Sequence, residues 1–244
     1  MVAAALGAIA ITTVACTSEP ETVPAPSFAQ SSAQIVATQA NAYPVNLIFV
    51  AADDDPIWER LSGVTVTDDL EVGPGQFDLI RGEGPDGYSL GNVSFEVDIP
   101  NGGVEFSSVE LHYTDRTEPV QVDVGSWSLH AAPANEFATA DTNAEVAAMA
   151  DCTTADLPVP KTVASINDFH TGSEDVALQE ASLNPEAGTI TVSLSCDGDA
   201  DFYIISPTLD YNDTTATTMT TRFAPIAIGF QDIDDDDIHR IQSR

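Results

Sequence analysis

The sequence predicts an all-β, mainly antiparallel protein built as two β-sandwich-like units joined by an Ala-rich, partly helical connector. Three observations carry this expectation. Val93, Phe95, Val97 and Ile99 alternate with Ser94, Glu96 and Asp98, the two-residue period of a strand with one buried face. Far downstream, Ile190, Val192, Leu194 and Cys196 alternate in the same way with Thr191, Ser193 and Ser195. Turn signals separate the short apolar runs roughly every 8–12 residues, a spacing typical of sandwiches and barrels. Hydrophobic residues make up 43% of the chain, enough to fill one large or two small cores.

The N-terminal segments come first in chain order. Met1 to Ala15 carries no charge, and the apolar run from Val2 has the length of a secretory h-region, short for a bilayer core of about 30 Å. Residues 1–15 are therefore expected to be an export signal. The run leads into Thr13-Val14-Ala15-Cys16. These four residues and their apolar approach resemble the lipobox of bacterial lipoproteins, although Thr13 stands where leucine is usual and no Lys or Arg precedes the run. The resemblance implies a lipid on the Cys16 thiol, cleavage just before it, and anchorage to the outside of the cell membrane. An ordinary signal peptide cut nearby, with Cys16 incidental, is the alternative. Residues 16–43 read as a tether. Thr17 to Ala40 is rich in Pro, Ser, Thr, Ala and Gln, and such a segment buries too little apolar surface to offset its ordering entropy.

The first unit is expected over residues 44–133. Val45 to Ala52 is a continuous apolar run suited to a central strand. Asp55-Pro56 opens a short helix, Ile57 to Leu61, with Asp55 as N-cap and Gly63 as its stop. Val64 and Val66 restart a strand. Asn101-Gly102 is a strong hairpin signal, and pairing across it sets Ile99 opposite Val104 and Val97 opposite Phe106. A second hairpin about residues 115–118 pairs Tyr113 with Val120, Leu111 with Val122 and Val109 with Val124. The apolar phase slips at Ser107-Ser108, as a β-bulge or a crossing between sheets would make it do. Trp127 and Leu129 continue the phase into the core.

The connector, residues 134–160, is Ala-rich and predicts a helix over Asn143–Ala150, where Thr142 and Glu145 have capping-box spacing. The second unit spans 161–231. In it Cys196 falls on a buried face, Asp197-Gly198 turns the chain, Phe202 to Ile205 returns, and Ile226 to Phe230 forms a last strand. Cys152 lies just before this unit. A Cys152–Cys196 disulfide would pin the connector to the second core and would fit an oxidising compartment. Residues 232–244 read as a frayed acidic tail.

Function is less legible. With 39 acidic residues against 7 basic ones the net charge is −32, and Lys161 is the only lysine. Such a chain cannot neutralise phosphates, so nucleic acid and anionic lipid surfaces are poor partners. Either the carboxylates are a solvated, self-repelling surface, or some of them gather divalent cations. Asp197, Asp199 and Asp201 form D-G-D-A-D, whose alternate carboxylates can converge on one calcium ion. It is not an EF-hand loop, because Phe202 and Thr208 stand where glycine and a bidentate Glu are required. Asp53-Asp54-Asp55 and Asp232 with Asp234 to Asp237 are further acidic clusters. The hairpin registers set Asp98 opposite Glu105 and Glu110 opposite Asp123, like charges that cost a sheet stability, and place His112 beside Gln121.

The four histidines lack ligand spacing, and no G-x-S-x-G, H-E-x-x-H or phosphate-cradling glycine loop is present. Trp58 and Trp127 read as core anchors in preference to sugar-stacking platforms. The leading expectation is a non-enzymatic envelope lipoprotein, held to the membrane by its N-terminal lipid. Its partner would be an envelope protein or glycan, and no cofactor is expected unless the aspartate clusters take up calcium. A calcium-dependent adhesion module and a secreted hydrolase assembled from distant residues are the alternatives.

Overall fold

A computed structural model of the protein describes residues 25–39, 42–138 and 147–244. The N-terminal half contributes strands β1 (Ser27–Phe28), β2 (Ser31–Thr38), β3 (Tyr43–Ala52), β4 (Leu61–Thr67), β5 (Leu70–Val72), β6 (Phe77–Arg81), β7 (Tyr88–Val97), β8 (Val104–Tyr113) and β9 (Val120–Ala132). One helical turn, α1 (Ile57–Arg60), precedes β4. The C-terminal half contributes β10 (Ala147–Met149), β11 (Thr154–Pro158), β12 (Val163–His170), β13 (Val176–Asn184), β14 (Thr189–Cys196), β15 (Phe202–Ile205), β16 (Thr208–Asp213), β17 (Thr218–Arg222) and β18 (Ile226–Ile228), followed by helix α2 (Asp235–Gln242).

These strands form a four-stranded sheet, β1-β3-β7-β6, an eight-stranded sheet, β10-β18-β15-β2-β9-β8-β4-β5, and two three-stranded sheets, β11-β14-β13 and β12-β16-β17. The first two share a core in which Val45, Leu47 and Phe49 of β3 meet Leu111 of β8 with Trp127 and Leu129 of β9. The small sheets share a second core around Ile190, Val192, Phe169 and Leu209. The fold is thus all-β, mainly antiparallel and sandwich-like, because each strand offers one apolar face and needs another layer to cover it. The Cys152–Cys196 disulfide is formed across a sequence separation of 44. Closing a loop of that length contributes about 4 kcal/mol in the chain-entropy model.

The expected boundaries give way at a shared seam. β15 pairs in parallel with β2, and β2 pairs in parallel with β9, so strands of the C-terminal half extend the sheet of the N-terminal half. β15 also serves both cores: Ile204 points into the first, Tyr203 and Ile205 into the second. The second sandwich begins before Lys161, since β11 lies within the expected connector and pairs with β14. The connector helix is corrected too. Ala147 to Met149 is strand β10, parallel to β18, its helix propensity overridden by a free sheet edge. Asn143 and the Thr142–Glu145 pair lie outside the described residues, as do the leader 1–15 and Cys16.

From residue 25 onward the tether reading fails. β2 is an interior strand that buries Ala33, Ile35 and Ala37. Small inward side chains suffice because β9 and β15 bind its backbone on both sides, offsetting the ordering entropy. The Asn101-Gly102 turn is not a hairpin. β7 lies between β3 and β6, and β8 between β9 and β4, so the chain crosses from one sheet to the other. The Ile99–Val104 and Val97–Phe106 pairs do not form; Val97 faces Tyr43, and Glu105 faces Ser128 instead of Asp98.

The second hairpin forms, shifted from its expected register. Leu111 faces Val120 and Val109 faces Val122; Glu110 faces Gln121, and Asp123 faces Ser108. The register breaks between Phe106 and Ser108, where the phase slip lay. Between the Phe106–Trp127 and Ser108–Asp123 pairs β9 has three residues, Val124 to Ser126, where β8 has only Ser107. Gly125 permits this with φ +86°, where an added Cβ would strike the Ser31 backbone. His112 lies opposite Gly63, not beside Gln121.

The acidic end is not frayed. Asp234 caps α2 by accepting the N–H groups of Asp236 and Asp237, and the Asp237 carboxylate accepts from the Asp234 N–H in return. Aspartates in a first turn also complement the positive end of the helix dipole. Ile238 and Ile241 of α2 then bury against Ala29, Val50 and Phe202.

Candidate functional site

The structure brings the disulfide, part of the aspartate turn and the C-terminal helix to one place. A cavity of about 720 Å³ is lined by Cys152, Cys196, Asp199, Asp201, Arg240 and Arg244, among others. β14 ends at Cys196 and the chain turns at Gly198, where a Cβ would crowd Asp175 and the Tyr203 hydroxyl, each at 3.2 Å. Tyr203 donates its hydroxyl to the Gly198 carbonyl at 2.6 Å. Burial first, then the Asp175 carboxylate, raises the pKa of this phenol, so it stays neutral and keeps donating.

Asp201 is the hub. Its side chain is 0% exposed. One oxygen accepts the Gln30 backbone N–H at 2.7 Å; the other accepts Arg240 Nε at 2.8 Å and Arg244 Nη2 at 3.2 Å. Arg240 also reaches Asp237 at 2.7 Å, and Arg244 donates to the Asp199 carbonyl at 2.6 Å. The Asp201 hydrogen bond raises the Arg240 pKa further. A buried carboxylate is tolerated only when paired and hydrogen-bonded, and here two segments distant in sequence, at Gln30 and at the C-terminal arginines, supply the donors.

The three aspartates of the calcium expectation are placed apart from one another. Asp197, Asp199 and Asp201 do not converge: Asp201 is turned inward on N–H donors, and Asp199 offers its backbone carbonyl to an arginine. Among the described residues no group of three His, Cys, Asp or Glu side chains is arranged to hold a metal ion. The sequence reading missed Gln30, Arg240 and Arg244. A signal existed for the last two, which are two of only seven basic residues and sit four apart.

The other singled-out residues are dispersed. Asp53 accepts from Ser89 at 2.6 Å and Arg81 at 2.7 Å, which lowers its pKa. Two residues on, buried Asp55 accepts the Ile57 N–H at 2.8 Å at the start of α1, while desolvation raises its pKa. Trp58 packs against Phe49 at 5.1 Å with Arg81 over its ring at 4.7 Å. Trp127 is buried on Phe106 at 5.6 Å. Both tryptophans are therefore anchors, not open stacking faces.

The histidines stay apart. His112 meets Thr65 at 2.8 Å, His130 meets Ser128 at 3.1 Å, and His170 lies between Asp168 and Asp210 at 3.6 and 3.5 Å. None lines the 720 Å³ cavity, and its two cysteines are joined. With the Tyr203 hydroxyl also committed, the cavity holds no nucleophile paired with a base. What it does is fasten: the approach to β2, the turn before β15 and helix α2 are bolted to one carboxylate.

No protein-family model matches the chain, and no curated protein sequence matches it. Among solved structures it is similar to one titled "Tandem Ig repeats of Dlar", at 10% sequence identity and a TM-score of 0.24, over 83% of this chain and 96% of that one. So slight a likeness carries no argument about fold or function.

Proposed function

We propose that the protein is a non-enzymatic envelope lipoprotein, anchored outside the membrane by a lipid on Cys16, whose β body serves as a binding or accessory module for an envelope protein or glycan. The observation that carries the reading is the cysteine pattern. Cys152 and Cys196 are joined in a disulfide, which fits an oxidising compartment, and Cys16, the third of the chain's three cysteines, closes the lipobox-like tetrad.

Two further features support it. All six arginines are engaged in ion pairs, so the surface offered to partners is dominated by carboxylate. The cavity beside the disulfide is organised as a clasp, with its buried carboxylate bound to N–H donors, as suits a rigid module.

Mass spectrometry of the native N-terminus tests the anchor. A mature chain beginning at an acylated Cys16 is the expected result, with Cys16→Ser releasing the protein from the membrane fraction. An N-terminus elsewhere, or an unmodified Cys16, overturns it.

A further inference from the structure

We propose that the free stretch of β17 is a self-association edge, at which two copies of this chain pair antiparallel about Met219. β17 is the outer strand of the sheet β12-β16-β17. The Asp213 N–H donates to the Thr217 carbonyl, and the Phe223 N–H to the Pro207 carbonyl, both at 2.9 Å. In an antiparallel ladder bonding alternates along the strand. Thr217, Met219, Thr221 and Phe223 thus bond inward to β16, and Thr218, Thr220 and Arg222 direct their backbone groups outward. The Arg222 carbonyl is already taken by the Ala138 N–H at 2.7 Å, where Phe137 forms a parallel bridge to Arg222. An extended segment therefore already docks at one end of this edge, leaving Thr218 and Thr220 with outward N–H and C=O groups that no described residue meets.

Charge selects the occupant. Among the described edge strands of five residues or more, β6 carries Asp78, β11 Asp156, β12 Asp168 and β13 Glu180, while β17, Thr218–Arg222, carries no carboxylate. Acidic side chains on an edge are a device against edge-to-edge pairing, and β17 lacks it. Among the described residues, acids beside it are engaged: Asp210 accepts from Thr220, Asp213 from the Thr215 and Thr217 N–H groups, and Glu136 from Arg222. Met219 is 44% exposed, one of two large apolar side chains to stand out so far among the described residues. A cationic partner would choose one of the acidic edges. Two molecules of net charge −32 can approach only where carboxylates are missing.

The edge is also self-complementary. A two-fold axis at Met219 sets Thr218 of one copy opposite Thr220 of the other, both with outward backbone groups, so four N–H···O=C bonds close around paired threonines and a methionine contact.

Sedimentation equilibrium of the full chain in molar KCl, from micromolar to near-millimolar concentration, tests the proposal. A reversible monomer–dimer equilibrium is expected, with the Thr218 and Thr220 amides gaining exchange protection as concentration rises. Thr220→Pro removes one outward N–H, and Met219→Asp sets two charges face to face at the axis. Each should raise the dissociation constant at least about tenfold, whereas Ile80→Asp on the edge of β6 should leave it unchanged. Met219 is exposed, so that variant folds whatever proline does at 220. A chain that stays monomeric throughout, or a dimer indifferent to Met219→Asp, overturns the proposal.

Discussion

Asp201 accepts three N–H hydrogen bonds from a position closed to water, so its removal strands all three donors at once. The arginines, with side chains 46% and 34% exposed, can rehydrate; the Gln30 N–H loses a charged acceptor. Asp201→Ala is therefore expected to cost about 2–3 kcal/mol, below the usual toll for breaking a fully buried pair. A chemical-denaturation midpoint unchanged by the substitution would refute the clasp. Asp55 runs the other way. Desolvation raises its pKa above the ordinary 3.8, so the folded chain holds that proton more tightly than the unfolded one. Stability contributed by this group is present at low pH and declines as pH rises through the raised value. Asp55→Asn keeps an oxygen to accept the Ile57 N–H and removes the buried charge. It should stabilise the protein at about pH 7, with a gain that shrinks as pH falls toward about 4. A gain independent of pH, or a loss at neutral pH, would contradict the assignment.

At the scale of elements, β2 is the piece on which both sandwiches depend. Ile35 is 1% exposed within the first core, and β2 is hydrogen-bonded to strands from each half of the chain. Ile35→Ala should cost about 2–4 kcal/mol. Deleting residues 25–39 should abolish cooperative folding of both halves, because it opens the β9 and β15 edges together and removes the Gln30 donor. A truncated chain that keeps a sharp thermal transition for the second sandwich would show the seam to be dispensable. Much of this architecture was legible from alternation, which reports which side of a strand is buried. It does not report which strand lies alongside. Val97 and Phe106 are both inward-facing, as the sequence indicates, but they face each other's sheets across a core and not across a ladder. β2 escaped notice because Ser, Ala and Gln look like linker composition, and its burial depends on neighbours more than 80 residues away. The aspartates ahead of α2 looked like a repelling run until a helix start gave them N–H groups to cap. The cavity was out of reach for the same reason: Gln30, Asp201, Arg240 and Arg244 meet only after the sheets have assembled.

Across the whole molecule the electrostatic balance is lopsided. Each arginine ion pair is at least partly exposed on one side, so each contributes roughly 0–1 kcal/mol and weakens as salt rises. Against them stands the mutual repulsion of a chain with net charge −32, which favours expansion and is itself screened by salt. With so few pairs and so many unmatched carboxylates the repulsion should dominate, and the sign of the salt effect follows. Raising KCl from about 0.1 M to about 1 M shortens the screening length from about 10 Å to about 3 Å and should raise Tm. At this chain length each 1 kcal/mol moves Tm by about 2–4 °C, so relief of even a few kcal/mol is measurable. Guanidinium chloride, a salt as well as a denaturant, should first stabilise the protein and only then unfold it, while urea should destabilise from the first addition. If Tm is flat or falls with KCl, and the two denaturants give parallel curves, the ion pairs outweigh the repulsion and the acidic surface is stabilised locally in ways its net charge does not reveal.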